Sequence, residues 1–379
     1  MPPVPDAPAA PARRLPPAQQ EMALGDLRRA PIANPDLRSR FRIPPFSIIW
    51  TMAGPHKERR RDWELLGIEP ERFIGREDNL LNFSPAMRDG AFYDKKRAAE
   101  EQTGRSFSMR EFIDSGLYEP PERNGSIERS TSIFDPVVAE ACYRWWCPPG
   151  GLIYDPFAGG AVRGIVAAAL DHPYVGVELR QEQVRANRRQ ALQIFAPKGM
   201  FGTVAHRPRW YEGDARKPPP TAPRLAREAA QQKHAPPPAD FLFSCPPYHD
   251  LERYSDLDAD LSGMDWPEFQ RGYQDAIADA ASRLRPDRFA AFVVSELRGP
   301  PPGLYKGFVG ETIATFEEAG LRFYNDLIIV NSPGTAPQRV GRFLIPSAKI
   351  ARIHQNLLVF VKGDPMKAAK LCAPMEGLE

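Results

Sequence analysis

The 379-residue sequence predicts an α/β protein built on an open, doubly wound and mostly parallel sheet. Two corners carry that expectation. In the stretch Gly150-Gly151-Leu152-Ile153-Tyr154-Asp155-Pro156-Phe157-Ala158-Gly159-Gly160-Ala161-Val162-Arg163-Gly164, a short apolar run stops at Asp155 and passes through glycines. It then opens a helical run from Val162 to Leu170. Strand, glycine turn and helix in that order let a ligand approach the backbone closely and offer it a helix N-terminus. The same order also fits a plain tight turn. The second corner is Phe241-Leu242-Phe243-Ser244-Cys245-Pro246-Pro247-Tyr248, an apolar strand that ends in two prolines and an aromatic. The prolines fix φ and hold Tyr248 rigidly beyond the strand end. Ligands of open α/β sheets sit outside the carboxyl ends of the strands, so both corners are expected to line one crevice.

Together the corners resemble S-adenosylmethionine-dependent DNA methyltransferases that modify exocyclic amino groups, with phage-encoded DNA methylases nearest. The matching residues are Pro148-Pro149-Gly150-Gly151 leading into Asp155-Pro156-Phe157-Ala158-Gly159, and then Pro246-Pro247-Tyr248. The resemblance covers roughly 131–363, and the segment near 41–83 is also similar. It implies a Rossmann-like methyltransferase fold, a mostly parallel seven-stranded sheet with a C-terminal antiparallel hairpin. It implies S-adenosylmethionine as cofactor, with no metal, and DNA as partner. Ser132 and Phe134 would meet its methionine part, beside Asp155, Phe157, Ala158 and Gly159 in the turn. Glu178, with Leu179, would take the ribose, and Asp214, with Ala215, the adenine. The candidate catalytic set is Ser244, Cys245, Pro246, Pro247 and Tyr248.

Bulk composition narrows the class. The net charge is only +2, so any polyanion must be met by local patches. The four cysteines Cys142, Cys147, Cys245 and Cys372 lack zinc-like pairing, which fits a reduced, cytoplasmic protein without a metal site. There is no signal peptide and no apolar run of membrane-spanning length, so a soluble protein is expected. The 42 prolines cluster in stretches read as tails and linkers.

In chain order, 1–40 reads as a disordered Pro/Ala-rich tail, 41–130 as an accessory region, 131–364 as the catalytic domain and 365–379 as a C-terminal tail. Within 41–130, Phe41 to Trp50 reads as an extended segment and Lys57 to Leu66 as a basic helix, either a solvated face or a DNA contact. Asp94 to Leu117 reads as two charged helices broken near Gly104. Asp135 and Pro136 form a capped helix start before Val137 to Trp146. Tyr174 to Glu178 is a strand ending in an acid, and Arg180 to Ile194 a basic, solvent-exposed helix. Residues 216–239 read as a linker, and the acidic stretch Glu252, Asp256, Asp258, Asp260 and Asp265 should face cofactor or protein rather than a duplex. A helix (Trp266 to Leu284), a strand (Phe289 to Ser295), a helix (Phe308 to Ala319) and strands at Phe323 to Val330 and Asn356 to Val361 complete the domain. The last two strands are expected without a helix between them. The loop Asn331 to His354 lies in an acid-free run, Leu327 to Gly363, and its Arg339, Arg342, Lys349 and Arg352 make it the candidate DNA-contacting surface.

Methyl transfer from a sulfonium is an in-line displacement that mostly needs positioning. An acceptor such as the Pro246 carbonyl helps localise the lone pair of an amino nitrogen, and Tyr248 offers a stacking face for an extruded base. Cys245 departs from the Asp, Asn or Ser usual at its position, with Ser244 one residue earlier, and Ala161 stands where a further Gly is usual. Three other readings stay open: an RNA base methyltransferase, carbon methylation of a pyrimidine through a Cys245 thiolate, and a non-catalytic binding protein on a decayed fold.

Overall fold

The computed structural model describes residues 45–51, 53–65, 92–107, 112, 115–117, 134–196, 204–217, 238–249, 254–255, 257–299, 303–331 and 336–372. The expected 1–40 tail, Ser132, Glu252, Asp256 and most of the 216–239 linker lie outside them.

Strand β1 (Ile48–Trp50) precedes helices α1 (Gly54–Leu65), α2 (Phe92–Thr103) and α3 (Pro136–Trp146). Then come β2 (Ile153–Asp155), α4 (Val162–Ala169), β3 (Tyr174–Glu178), α5 (Gln181–Ile194), β4 (Arg209–Glu212) and β5 (Ala239–Ser244). The chain continues through α6 (Trp266–Arg283), β6 (Leu284–Val294), α7 (Phe308–Glu318), β7 (Arg322–Val330), α8 (Ala336–Ser347), β8 (His354–Lys362) and α9 (Pro365–Leu371).

The strands form one sheet in the order β1-β7-β8-β6-β5-β2-β3-β4. All neighbours run parallel except β8, which is antiparallel to both β6 and β7. This is the doubly wound, Rossmann-like arrangement with a C-terminal antiparallel pair that the sequence predicts. The chain fills one side of β2 with β3 and β4, then crosses back to β5. The reversal falls between β2 and β5, where such sheets open their crevice.

Period-2 alternation sends each strand's side chains to two different cores. Phe241 and Phe243 of β5 enter one with α3, α4 and α5, while Leu242 enters the other with α6 and α7. Strands buried on both faces are continuous apolar runs, as expected for the middle of a parallel sheet.

Four expectations change. The sheet has eight strands, because β1 pairs with β7 and puts Ile49 into the same core as Trp63 of α1. The first part of the accessory region is thereby built into the domain. The last two strands are joined through α8, which interrupts the expected loop. Helix α5 is half buried, with Val184, Ala191 and Ile194 in the core and Arg185, Arg188 and Arg189 outside. The segment after 364 begins as α9, capped by Asp364, and buries Ala368 and Cys372.

Helix α1 is held to α3 by buried charge. Arg59 Nε donates to Glu140 Oε2 at 2.8 Å, its other guanidinium arm donates to Oε1 at 2.9 Å, and Trp63 Nε1 donates to Oε2 at 2.8 Å. Burial works against the Glu140 charge, but Arg59, Arg144 and Trp63 more than offset it and hold the carboxyl at about 2. Arg60 and His56 bond Asp135, which also caps α3 through Val137 N at 2.9 Å. Arg59 and Arg60 are therefore structural, while Lys57, Glu58, Arg61, Asp62 and Glu64 of the run stand exposed and leave that face with no net basic charge.

Candidate active site

β2 and β5 lie side by side, with Ile153 opposite Phe241 and Tyr154 opposite Leu242, so their carboxyl ends emerge together. A hydrogen bond ties the two corners: Ser244 Oγ donates to Asp155 Oδ1 at 2.6 Å. The Phe157 amide donates to both Ser244 Oγ and Asp155 Oδ1 at 3.2 Å.

Asp155 is fully buried. Its second oxygen accepts from Arg163 Nε at 2.6 Å and from the Tyr174 hydroxyl at 2.7 Å. Arg163 folds back from α4 and donates to the carbonyls of Phe157 (2.6 Å) and Ala158 (2.9 Å). Burial opposes the Arg163 charge, yet the Asp155 carboxylate more than offsets it and raises the guanidinium pKa above its ordinary value. Asn187 Nδ2 of α5 donates to the Gly159 carbonyl at 2.7 Å. Gly159 itself has φ +49, with nothing within 4 Å of where a Cβ would stand. The glycine turn is thus clamped from beneath and open above.

Around this turn stand half-exposed residues at the ends of four parallel strands: Phe157, Glu178, Leu179, Asp214, Ala215, Cys245, Pro247 and Tyr248. Glu178 accepts the Arg180 amide at 2.9 Å. The Asp214 carboxylate is gripped by Arg216, whose Nε donates to Oδ1 at 3.0 Å and whose terminal nitrogen donates to Oδ2 at 2.6 Å. Phe134 packs edge-on to Phe243 with centroids 5.5 Å apart and lies under the Arg163 guanidinium at 4.7 Å. Ala158 is buried and contributes backbone only.

At the second corner, Pro246 is buried and Cys245 is half-buried at the wall. Ser244 is fully buried, and its hydroxyl is committed to Asp155. The Tyr248 hydroxyl donates to the Val293 carbonyl at 3.2 Å, accepts from Gln355 Nε2 at 2.8 Å and lies 3.4 Å from Cys245 Sγ. Burial pushes its pKa well up, so the phenol stays neutral. Gln355 is itself held by Asn331, whose Nδ2 donates to its Oε1 at 3.0 Å. His249 then turns the chain at φ +45, a conformation that costs a non-glycine residue about 1–3 kcal/mol. Lys306 Nζ, 2.8 Å from His249 Nδ1, and edge-on packing against Trp266 and Phe269 hold it there.

The expected DNA-contacting residues lie on and after α8. Arg339 and Arg342 fall within that helix, but their side chains are outside the described residues. Lys349 is half-exposed. Arg352 donates through Nε to Ser295 Oγ at 3.1 Å and through its terminal nitrogen to Asn356 Oδ1 at 2.5 Å. Of the acidic stretch, Asp260 caps a short 3-10 turn and Asp265 caps α6.

Sequence reasoning missed Arg163, Arg216 and Gln355. Arg163 left a signal: a lone charge in the otherwise apolar run Val162 to Ala169 must be paired if that helix is buried. Gln355 and Arg216 left none.

No protein-family model and no curated protein sequence matches the chain. Solved structures do align. Thermus thermophilus TrmN is 17% identical over 60% of this chain and 48% of its own, at a TM-score of 0.35, so the chain spans about half of that protein's length. Magnesium protoporphyrin IX methyltransferase from Synechocystis PCC 6803, with bound SAM, is 12% identical over 57% of this chain and 71% of its own, at a TM-score of 0.33. A methyltransferase from Pyrococcus furiosus is 12% identical over 74% of this chain and all of its own (100%), at a TM-score of 0.36. Strand order and the antiparallel β8 give the chain a Rossmann-like methyltransferase fold; substrate and chemistry rest on its own residues.

Among the described residues no group of three His, Cys, Asp or Glu side chains is placed to hold a metal ion, and no helix is long and apolar enough to cross a membrane.

Proposed function

We propose that this chain transfers a methyl group from S-adenosylmethionine to an exocyclic amino nitrogen of a flipped adenine or cytosine in DNA. The observation that carries the reading is the 2.6 Å bond between Ser244 and Asp155, which makes the glycine turn and the Pro-Pro-Tyr corner two walls of one crevice.

The residues present fit the cofactor. Glu178 presents a half-exposed carboxylate for ribose hydroxyls, and the turn at Ala158 and Gly159 leaves open space for close approach. Phe134, Phe157 and Leu179 supply apolar surface, with Ala215 beside the adenine, and Ser132 is the remaining candidate for the methionine part. Asp155 acts from below by shaping the turn. Asp214 reaches an adenine amino group only when Arg216 releases it, since Arg216 engages both of its oxygens.

The cofactor supplies an electrophilic methyl group on a sulfonium. The protein supplies position. The Pro246 carbonyl accepts an N–H of the target amino group and helps localise its lone pair, while Pro247 keeps that carbonyl rigid. The half-exposed Tyr248 ring, anchored through its hydroxyl, gives the extruded base a face to stack on. Cys245, half-buried beside Tyr248, borders the nucleophile and takes no covalent part. Lys349 and Arg352 are the described candidates for phosphate contact, and Arg339 and Arg342 remain candidates from the sequence.

The test is transfer of labelled methyl from the cofactor to duplex DNA and, separately, to RNA. Label in DNA is expected. Label in RNA alone, or none in either despite measurable cofactor binding, overturns the reading.

A further inference from the structure

A cavity of about 280 Å³ lies at the opposite edge of the sheet from β1, between α5 and the edge strand β4. Arg188, Leu192, Arg207, Arg209, Pro208 and Tyr211 are among the residues that line it, and no acid does. Arg188 and Arg207 are exposed, Arg209 is half-exposed, and Arg185 and Arg189 extend the same charge along the outer face of α5. Arg188 donates one bond to the Trp210 carbonyl, and Arg207 donates one to the Phe195 carbonyl at 3.4 Å. Each bond spends one of a guanidinium's five N–H donors and fixes the group in place. Leu192 stands 57% exposed between them.

In a chain whose net charge is only +2, this concentration needs an explanation. An arginine's fork of donors matches phosphate oxygens geometrically, and the apolar side chain of Leu192 beside it suits the sugar edge of a polynucleotide. We propose that the α5–β4 groove is a second contact for the phosphate backbone of duplex DNA, separate from the α8 side. This rests on the DNA reading above. Arg209 begins β4, at the end of the strand away from Asp214 and the crevice. A duplex seated at the crevice therefore meets the groove only when it runs well past the target.

The test measures binding of long and short fluorescent duplexes by the cofactor-free full chain across a salt series. Arg188→Ala/Arg207→Ala should weaken the long duplex about 10-fold or more and lower the slope of log K against log salt by about 2. The short duplex should change little. Because both arginines also bond backbone carbonyls, Leu192→Glu is the second variant. It removes no hydrogen bond and should weaken the long duplex in the same direction. Unchanged long-duplex affinity and slope in both variants overturns the proposal, as does inorganic phosphate at millimolar concentration displacing nothing while RNA alone responds to the variants. Binding is read without methyl transfer, so failure of transfer would sink the catalytic reading and leave the groove separately decided.

Discussion

Ser244 Oγ stands 2.6 Å from Asp155 Oδ1, joining residues 89 apart in sequence at the point where the sheet reverses direction. Because Asp155 also binds Arg163 and Tyr174, one carboxylate holds the glycine turn, the Pro-Pro-Tyr corner and the start of α4 in register. Ser244→Ala removes one donor and should cost about 1–3 kcal/mol in urea unfolding. Asp155→Asn leaves Arg163 buried and without its counter-charge, and should cost about 3–5 kcal/mol. Equal, small losses from both would show that the carboxylate is not the organising group.

Cys245 Sγ lies 3.4 Å from the Tyr248 hydroxyl, just past the end of β5. If the sulfur is a bystander, Cys245→Ser should keep or improve turnover, since a hydroxyl hydrogen-bonds more strongly than a thiol. Abolished turnover with normal cofactor binding would point to covalent attack on a pyrimidine ring instead.

Gln355 fixes Tyr248 from the antiparallel strand β8, two places from β5 in the sheet. Gln355→Leu should lower kcat about 10-fold, equivalent to about 1.4 kcal/mol of lost positioning, while leaving cofactor affinity unchanged. An unaltered kcat would show that the ring needs no such anchor.

Buried His172, His56 and Glu140 give stability a two-step dependence on acid. Burial lowers His172 from 6.5 to about 4, its Nδ1 lying 3.2 Å from the Gly151 carbonyl. The unfolded chain binds that proton first, so stability is full above pH 6.5 and falls as pH drops through about 4. This is worth at most about 3 kcal/mol. Glu140, held at about 2 against 4.5 when free, adds a second loss that begins below pH 4.5 and continues through about 2. Urea midpoints measured from pH 7 to 3 should show both, and His172→Gln should shrink the first without erasing it, because burial also lowers His56 from 6.5 to about 4 and places its loss in the same window. A midpoint flat from pH 7 to 4 would contradict the assignment.

Much of this architecture was legible because local patterns and tertiary fate agree. Apolar runs closed by Asp155 and by Pro246-Pro247 are strands buried on both faces, and their ends mark the crevice. Asp135 and Pro136 announce α3 through a cap that depends only on near neighbours. What escaped depends on distant partners. Ile48–Trp50 is too short to announce a strand and becomes one only by pairing with β7. Helix α8 carries Pro346, an ordinary helix breaker, which made its segment read as loop. The basic run around Arg59 reads as solvated until Glu140 of α3 is known to lie opposite it.

The central claim is that one crevice holds a methyl donor and an extruded base. It is tested most directly by digesting DNA after incubation with labelled cofactor and identifying the labelled nucleoside. N6-methyladenine or N4-methylcytosine is the expected labelled product, lost in Tyr248→Ala. Label in 5-methylcytosine, or in no nucleoside while the cofactor binds, would contradict it.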